Sequence, residues 1–145
     1  MTFKNLNNDS NCNCISDELS VLISDIFCRR LKSKKIKLTD FNSYWEDGNH
    51  PKDKTKCNQV CKHKSISLHK FDNDDNVTKF FKRTVSLRPA TKKLTPFYCT
   101  FKFKDTAGKG KPTPSESDPN HYSFFKSDLF KLKSIFDVKI KEMPE

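Results

Sequence analysis

The residues best suited to chemistry are concentrated in one stretch. Between His50 and Phe71 lie two of the six cysteines, Cys57 and Cys61, and three of the four histidines, His50, His63 and His69, among six lysines. Two cysteines at i and i+4 share one face of a helix, and His63 follows two residues later. Cys57, Cys61, His63 and His50 therefore form a candidate zinc set, since zinc takes four nitrogen or sulfur ligands in a tetrahedron. The usual zinc pattern has two clean ligand pairs. Here the second pair would have to be assembled from His50, His63, His69 or the distant Cys12 and Cys14. The competing reading makes Cys57 and Cys61 small apolar residues on the buried side of a short helix.

A thiol nucleophile is the next chemistry this stretch offers. Lys54, Lys56, Lys62 and Lys64 would favour a thiolate at Cys57 or Cys61, with His121 supplying a base from across the fold. No catalytic signature surrounds either cysteine. Ala107-Gly-Lys-Gly-Lys-Pro-Thr113 evokes a phosphate loop, but the spacing departs from the nucleotide-binding pattern and Pro112 removes a backbone donor. Arg30, Ser65-Ile-Ser67 and Glu116 do not assemble an ADP-ribosylating motif, because Glu116 falls in a Pro-rich segment. Cys28 and Cys99 stand on or beside apolar faces and are expected in the core. A zinc ion is the only cofactor the pattern invites.

The elements that must position these residues fit one domain in 145 residues. Residues 1–15 are Asn-rich and read as a flexible tail; residues 16–145 read as the folded domain. Leu19, Leu22, Ile23, Ile26 and Phe27 recur at helical spacing. With Asp17 and Glu18 at one end and Arg29, Arg30 and Lys32 at the other, they predict a helix over about 17–33. A second short helix is expected through Phe41, Tyr44 and Trp45, stopped by Asp47-Gly48, and the pair raises a helix-turn-helix reading. A turn of helix is expected over 53–63, a strand over 65–71, a helix from Val77 to Arg83 and β structure over 84–87. Phe97–Lys104 alternates strictly and is the strongest strand. Residues 105–120, with two Gly and three Pro, read as an exposed loop. His121–Phe125 resumes order, Ser127-Asp128 caps a short helix, and Phe136, Val138 and Ile140 alternate as a final strand. The class is α+β: an N-terminal helix on a small, mainly antiparallel sheet with short additional helices.

Charge bounds the partners. The net charge is +10, with 24 Lys against four Arg. The first 27 residues carry −3, residues 28–70 carry +8 and the remainder +5. A basic surface attracts polyanions or an acidic protein. The expected anion-binding residues are Arg29, Arg30, Lys32, Lys34, Lys35 and Lys37, with Lys62, Lys64, Lys109 and Lys111 as a second group. No apolar leader region opens the chain and no run reaches membrane-spanning length, so the reading is a cytoplasmic protein with reduced cysteines and no membrane insertion. The expected function is non-enzymatic: non-specific binding of nucleic acid through phosphates. The alternative is a regulatory module that docks on an acidic protein, and the third reading is a Cys/His enzyme.

Overall fold

A computed structural model describes residues 1–8, 11–87 and 95–144. It is a single α+β domain built on one antiparallel sheet of six strands. These are β1 (Phe27–Arg30), β2 (Ile66–Lys70), β3 (Phe97–Phe103), β4 (Gly108–Pro112), β5 (His121–Lys126) and β6 (Ile135–Glu142), in the order β4-β5-β2-β1-β3-β6. Three helices join them: α1 (Lys4–Asn7), α2 (Cys57–Lys64) and α3 (Asp74–Leu87), with 3-10 turns at Leu38–Phe41 and Leu132–Ser134.

The alternation of β3 sets the two faces. Phe101 lies opposite Phe27 of β1, and Phe103 opposite Ile135 of β6. Ile66 and Leu68 of β2 extend the same face, Ile66 standing opposite Phe124 of β5. These residues form the main core with Leu22, Leu31 and Phe41. Phe103 and Phe124 stack at 4.2 Å, and Phe41 meets Phe101 edge-on at 5.4 Å, arrangements that add to simple area burial. The other face of β3 carries Tyr98, which packs with Cys28 beneath Val77 and Phe81 of α3. A third cluster joins Trp45, Val60 of α2, Phe125, Leu19, Cys12 and Cys14.

The helix expected over 17–33 is absent. Leu19 and Leu22 are buried, but in different clusters, while Ile23 and Ile26 face solvent. Ser20 pairs with Gly110 in an isolated bridge, and Phe27–Arg30 becomes an inner strand bonded on both sides. Two ladders of backbone hydrogen bonds outweigh the local helical signal, which rested on charge placement and a period-three pattern. The helix-turn-helix reading goes with it. Residues 38–41 form only a 3-10 turn, which Asp40 stabilises by accepting from the backbone N–H groups of Lys32 and Lys37.

Three other expectations are corrected. The segment read as an exposed loop, 105–120, contains edge strand β4. Its glycines permit close approach: a Cβ on Gly110 would lie 2.5 Å from the Ser123 carbonyl oxygen and 2.8 Å from Leu22 Cδ1. Residues 84–87, read as β, continue α3. The N-terminal segment is held rather than loose. Asp128 accepts from the N–H groups of Lys4 and Asn5, and Cys12 and Cys14 are buried.

Candidate functional site

The Cys/His stretch is a covalent clamp. Cys57 is bonded to Cys12 and Cys61 to Cys14, so the two CxC thiols of the N-terminal segment meet the two cysteines on one face of α2. This corrects the zinc reading, because neither sulfur is available as a thiolate ligand. His50 instead stacks on Trp45 at 3.8 Å, and His63 Nδ1 lies 2.8 Å from the Gln59 carbonyl oxygen. Among the described residues no group of three His, Cys, Asp or Glu is placed to hold a metal ion. The thiol-nucleophile reading falls for the same reason. Cytoplasmic localisation is corrected too, since paired cysteines form and persist in oxidising compartments. The signal that could have found this was the presence of two closely spaced cysteine pairs, Cys12/Cys14 and Cys57/Cys61. No helix among the described residues is long and apolar enough to cross a membrane.

The ten basic residues expected to bind anions divide into two kinds. Several serve the fold. The Arg29 guanidinium donates to the carbonyls of Asp40, Asn42 and Ser67, and burial lowers its pKa. Arg30 Nε donates to the Thr95 carbonyl. Lys64 is buried, donates to the Leu6 carbonyl and lies 4.6 Å from the centre of the Trp45 ring. Lys32 Nζ reaches the Thr39 carbonyl, and Lys111 pairs with Glu18 at 2.8 Å. Lys34, Lys35, Lys37 and Lys62 face solvent, and Lys109 is half-exposed on β4.

A cationic cleft lies elsewhere. Lys104, at the end of β3, and Lys131 and Lys133, around the 3-10 turn before β6, line one depression of about 250 Å³ with Thr106, Leu129 and Ser134. Local hydrogen bonds fix its walls. The Lys104 N–H donates to the Ser134 carbonyl, the Lys131 N–H to Ser134 Oγ, and Ser127 Oγ to the Thr106 carbonyl. None of the three lysines forms an ion pair among the described residues. Beside them Leu129 is 77% exposed, and Leu132 and Phe136 also reach solvent. Sequence reasoning missed this group; its trace was Lys131-Leu-Lys133 immediately before the last strand.

A second cavity, of about 300 Å³, opens between α3 and the 117–120 segment. Its floor holds His69 and Asp118, whose Nδ1 and Oδ1 are 2.8 Å apart. The His69 ring stacks on Phe80 at 4.7 Å. His121 stands opposite His69 in the sheet, with Nδ1 2.7 Å from Thr113 Oγ1. No protein-family model matches the chain, and comparison with curated proteins and solved structures finds no match.

Proposed function

We propose that this chain is a non-enzymatic binding domain of an oxidising compartment, and that its partner is a protein with an acidic, partly apolar docking segment. The observation that carries the reading is one cleft lined by Lys104, Lys131 and Lys133 together with the solvent-facing Leu129. Apolar side chains among unpaired cations complement an amphipathic acidic segment, whereas a phosphate backbone would use the cations alone. The identity of the bases supports the same choice. Lysine is a hydrated point charge suited to electrostatic docking, and bidentate phosphate readers rely on arginine forks. Arg29, Arg30 and Arg83 all donate to backbone carbonyls. Non-specific nucleic-acid binding is the second reading, supported by the net charge of +10 alone.

The test is a fluorescence-anisotropy titration with two labelled probes, a peptide alternating Glu with Leu and a mixed-sequence single-stranded DNA, at several salt concentrations. The expected result is tighter binding of the peptide, lost both in a Lys104→Ala/Lys131→Ala/Lys133→Ala variant and in Leu129→Ser. Tighter DNA binding, with a steep salt slope and no effect of Leu129→Ser, replaces this reading with the nucleic-acid one.

A further inference from the structure

The two edges of the sheet differ. Strand β4, at one edge, is short, ends in Pro112 and is covered: the Ser20 N–H donates to the Gly110 carbonyl and the Gly110 N–H to the Ser20 carbonyl. Strand β6, at the other edge, runs for eight residues and pairs only with β3. No backbone hydrogen bond joins residues 136–142 to any other described segment. An open edge is a template for a further strand, and proteins usually cover or interrupt it.

Strand β6 is interrupted once. Its register against β3 shifts between Thr100 and Lys102, where Asp137 has φ +51°. Beyond this bulge, Lys139 to Glu142 pair regularly with Thr100 to Phe97. The Met143 N–H donates to the Pro96 carbonyl. Hydrogen-bonded pairs alternate along an antiparallel ladder, so Lys141 and Lys139 bond to β3, while Ile140 and Glu142 turn their N–H and C=O groups outward. Side chains alternate too: Lys139 and Lys141 stand on one face and Ile140, 44% exposed, on the other. The charges decide what can pair here. A second copy with Ile140 opposite Ile140 sets Lys139 against Lys141, and with Ile140 opposite Glu142 it sets Lys141 against Lys141. Like charges directly opposite are destabilising. Lys139 is exposed and makes no ion pair among the described residues, whereas Lys141 is held by Asp74. Lys131 and Lys133 of the docking cleft lie at the turn that runs directly into β6.

We infer that the acidic, partly apolar segment of the partner protein binds as a seventh strand, antiparallel to β6 along 139–142. This rests on the docking reading and gives it a geometry. An apolar residue of the partner stands opposite Ile140 and exchanges backbone hydrogen bonds with it. The acidic residue next to it faces Lys139, and its own N–H points away from the sheet. The segment must therefore alternate acidic and apolar residues. In strand addition the main chain supplies affinity and the alternating side chains supply specificity. The lysines that oppose self-pairing are the ones that favour an acidic strand.

The test blocks each edge of the added strand in turn. The labelled peptide alternating Glu with Leu is compared with two derivatives, one N-methylated at every Leu and one at every Glu. Methylation at Leu removes the N–H groups that would face β6 and is expected to weaken binding roughly tenfold or more. Methylation at Glu alters the outer edge alone and is expected to leave binding as in the parent peptide. Lys139→Glu, an exposed change, is expected to weaken binding severalfold. In hydrogen exchange followed by NMR, the Ile140 and Glu142 amides are expected to slow when the parent peptide is bound, and the Gly110 amide on the covered edge to stay unchanged. Equal behaviour of the two methylated peptides overturns the inference, as does loss with the Glu series alone. So does unchanged exchange at Ile140 and Glu142. If the parent peptide still binds and still depends on Lys104, Lys131 and Lys133, those results leave the docking reading intact. A parent peptide that does not bind removes the docking reading and this inference with it.

Discussion

The Tyr98 hydroxyl donates to Asp74 Oδ1, joining β3 to the first turn of α3. Lys141 of β6 reaches the same carboxylate at 2.9 Å. Asp74 is therefore held below its ordinary value of 3.8, first by the Tyr98 hydrogen bond and then by Lys141, while burial and Asp74 raise Tyr98. A carboxyl whose folded pKa is depressed adds stability above its unfolded pKa, and that stability is lost as the pH falls through the folded value. The parent protein is expected to lose stability on acidification below about pH 4. Asp74→Asn is expected to be less stable at pH 7 and to show a smaller change across that acid range. Denaturant midpoints at pH 7 and pH 3 measure both.

The two disulfides are redundant in part. Cys12–Cys57 alone closes a loop spanning 45 residues, worth about 4 kcal/mol in the chain-entropy picture. With Cys14–Cys61 in place, the additional loop is only a few residues and the second bridge is worth roughly 2 kcal/mol. Removing either bridge with paired Cys→Ala changes should cost about 2 kcal/mol, and removing both clearly more than the sum of the two. Urea unfolding of the four proteins checks the non-additivity.

The remaining thiols should be silent in the folded protein. Cys28 and Cys99 are free and buried. Burial pushes Cys28 well above its ordinary value and Cys99 up to about 12, and the thiolate is the reactive form. Ellman's reagent at pH 8 is expected to report no thiol in native unreduced protein, two in denaturant, and six after reduction in denaturant. A native count of four or more would remove the disulfides and restore the cytoplasmic reading.

Gly110→Ala tests the close approach of β4 to the sheet. The new methyl would fall against Leu22 Cδ1 and against the Ser123 carbonyl, a backbone atom of the neighbouring strand β5. The expected cost is about 1–3 kcal/mol, the range for forcing a methyl into packed structure. Gly48, with nothing within 4 Å of a Cβ but φ at +86°, should respond to Ala through backbone strain instead. Thermal unfolding of the two variants provides the comparison.

Much of the sheet was legible because its signals were local. Phe97–Phe103 alternates strictly, and β2 and β6 were each recognised from a short alternating run, whereas His121–Phe125 was read only as ordered and forms β5. The α+β class followed from mixing these with the α2 and α3 segments. Strand β1 was illegible because it is made by its neighbours: Phe27–Arg30 carries no alternation of its own beyond Phe27 and Arg29 on one face, and only pairing to β2 and β3 defines it. Strand β4, Gly-Lys-Gly-Lys-Pro, has β-poor composition and is held by β5 and by the Ser20 bridge. The candidate sites were hidden for a related reason. Lys104 and Lys131 are brought together by a hydrogen bond between segments thirty residues apart, and His69 meets Asp118 only after β2 and the 117–120 segment are in place. The bulk charge was visible, but which cations are consumed by carbonyls was not.

The clamp at α2 joins the same two chain segments twice. An isomer with the partners exchanged, Cys12 to Cys61 and Cys14 to Cys57, would enclose loops of nearly the same length, so chain entropy does not choose between the two pairings. The choice falls to the surrounding side chains, where Trp45, Val60 and Phe125 pack against the native sulfurs. Oxidation can therefore occur early and imperfectly, because either isomer brings the N-terminal segment onto the helix. Rearrangement to the native pairing then needs an attacking thiolate, either an external thiol or one of the two thiols still free while only one bridge has closed, and the bridge that remains keeps the segment on the helix.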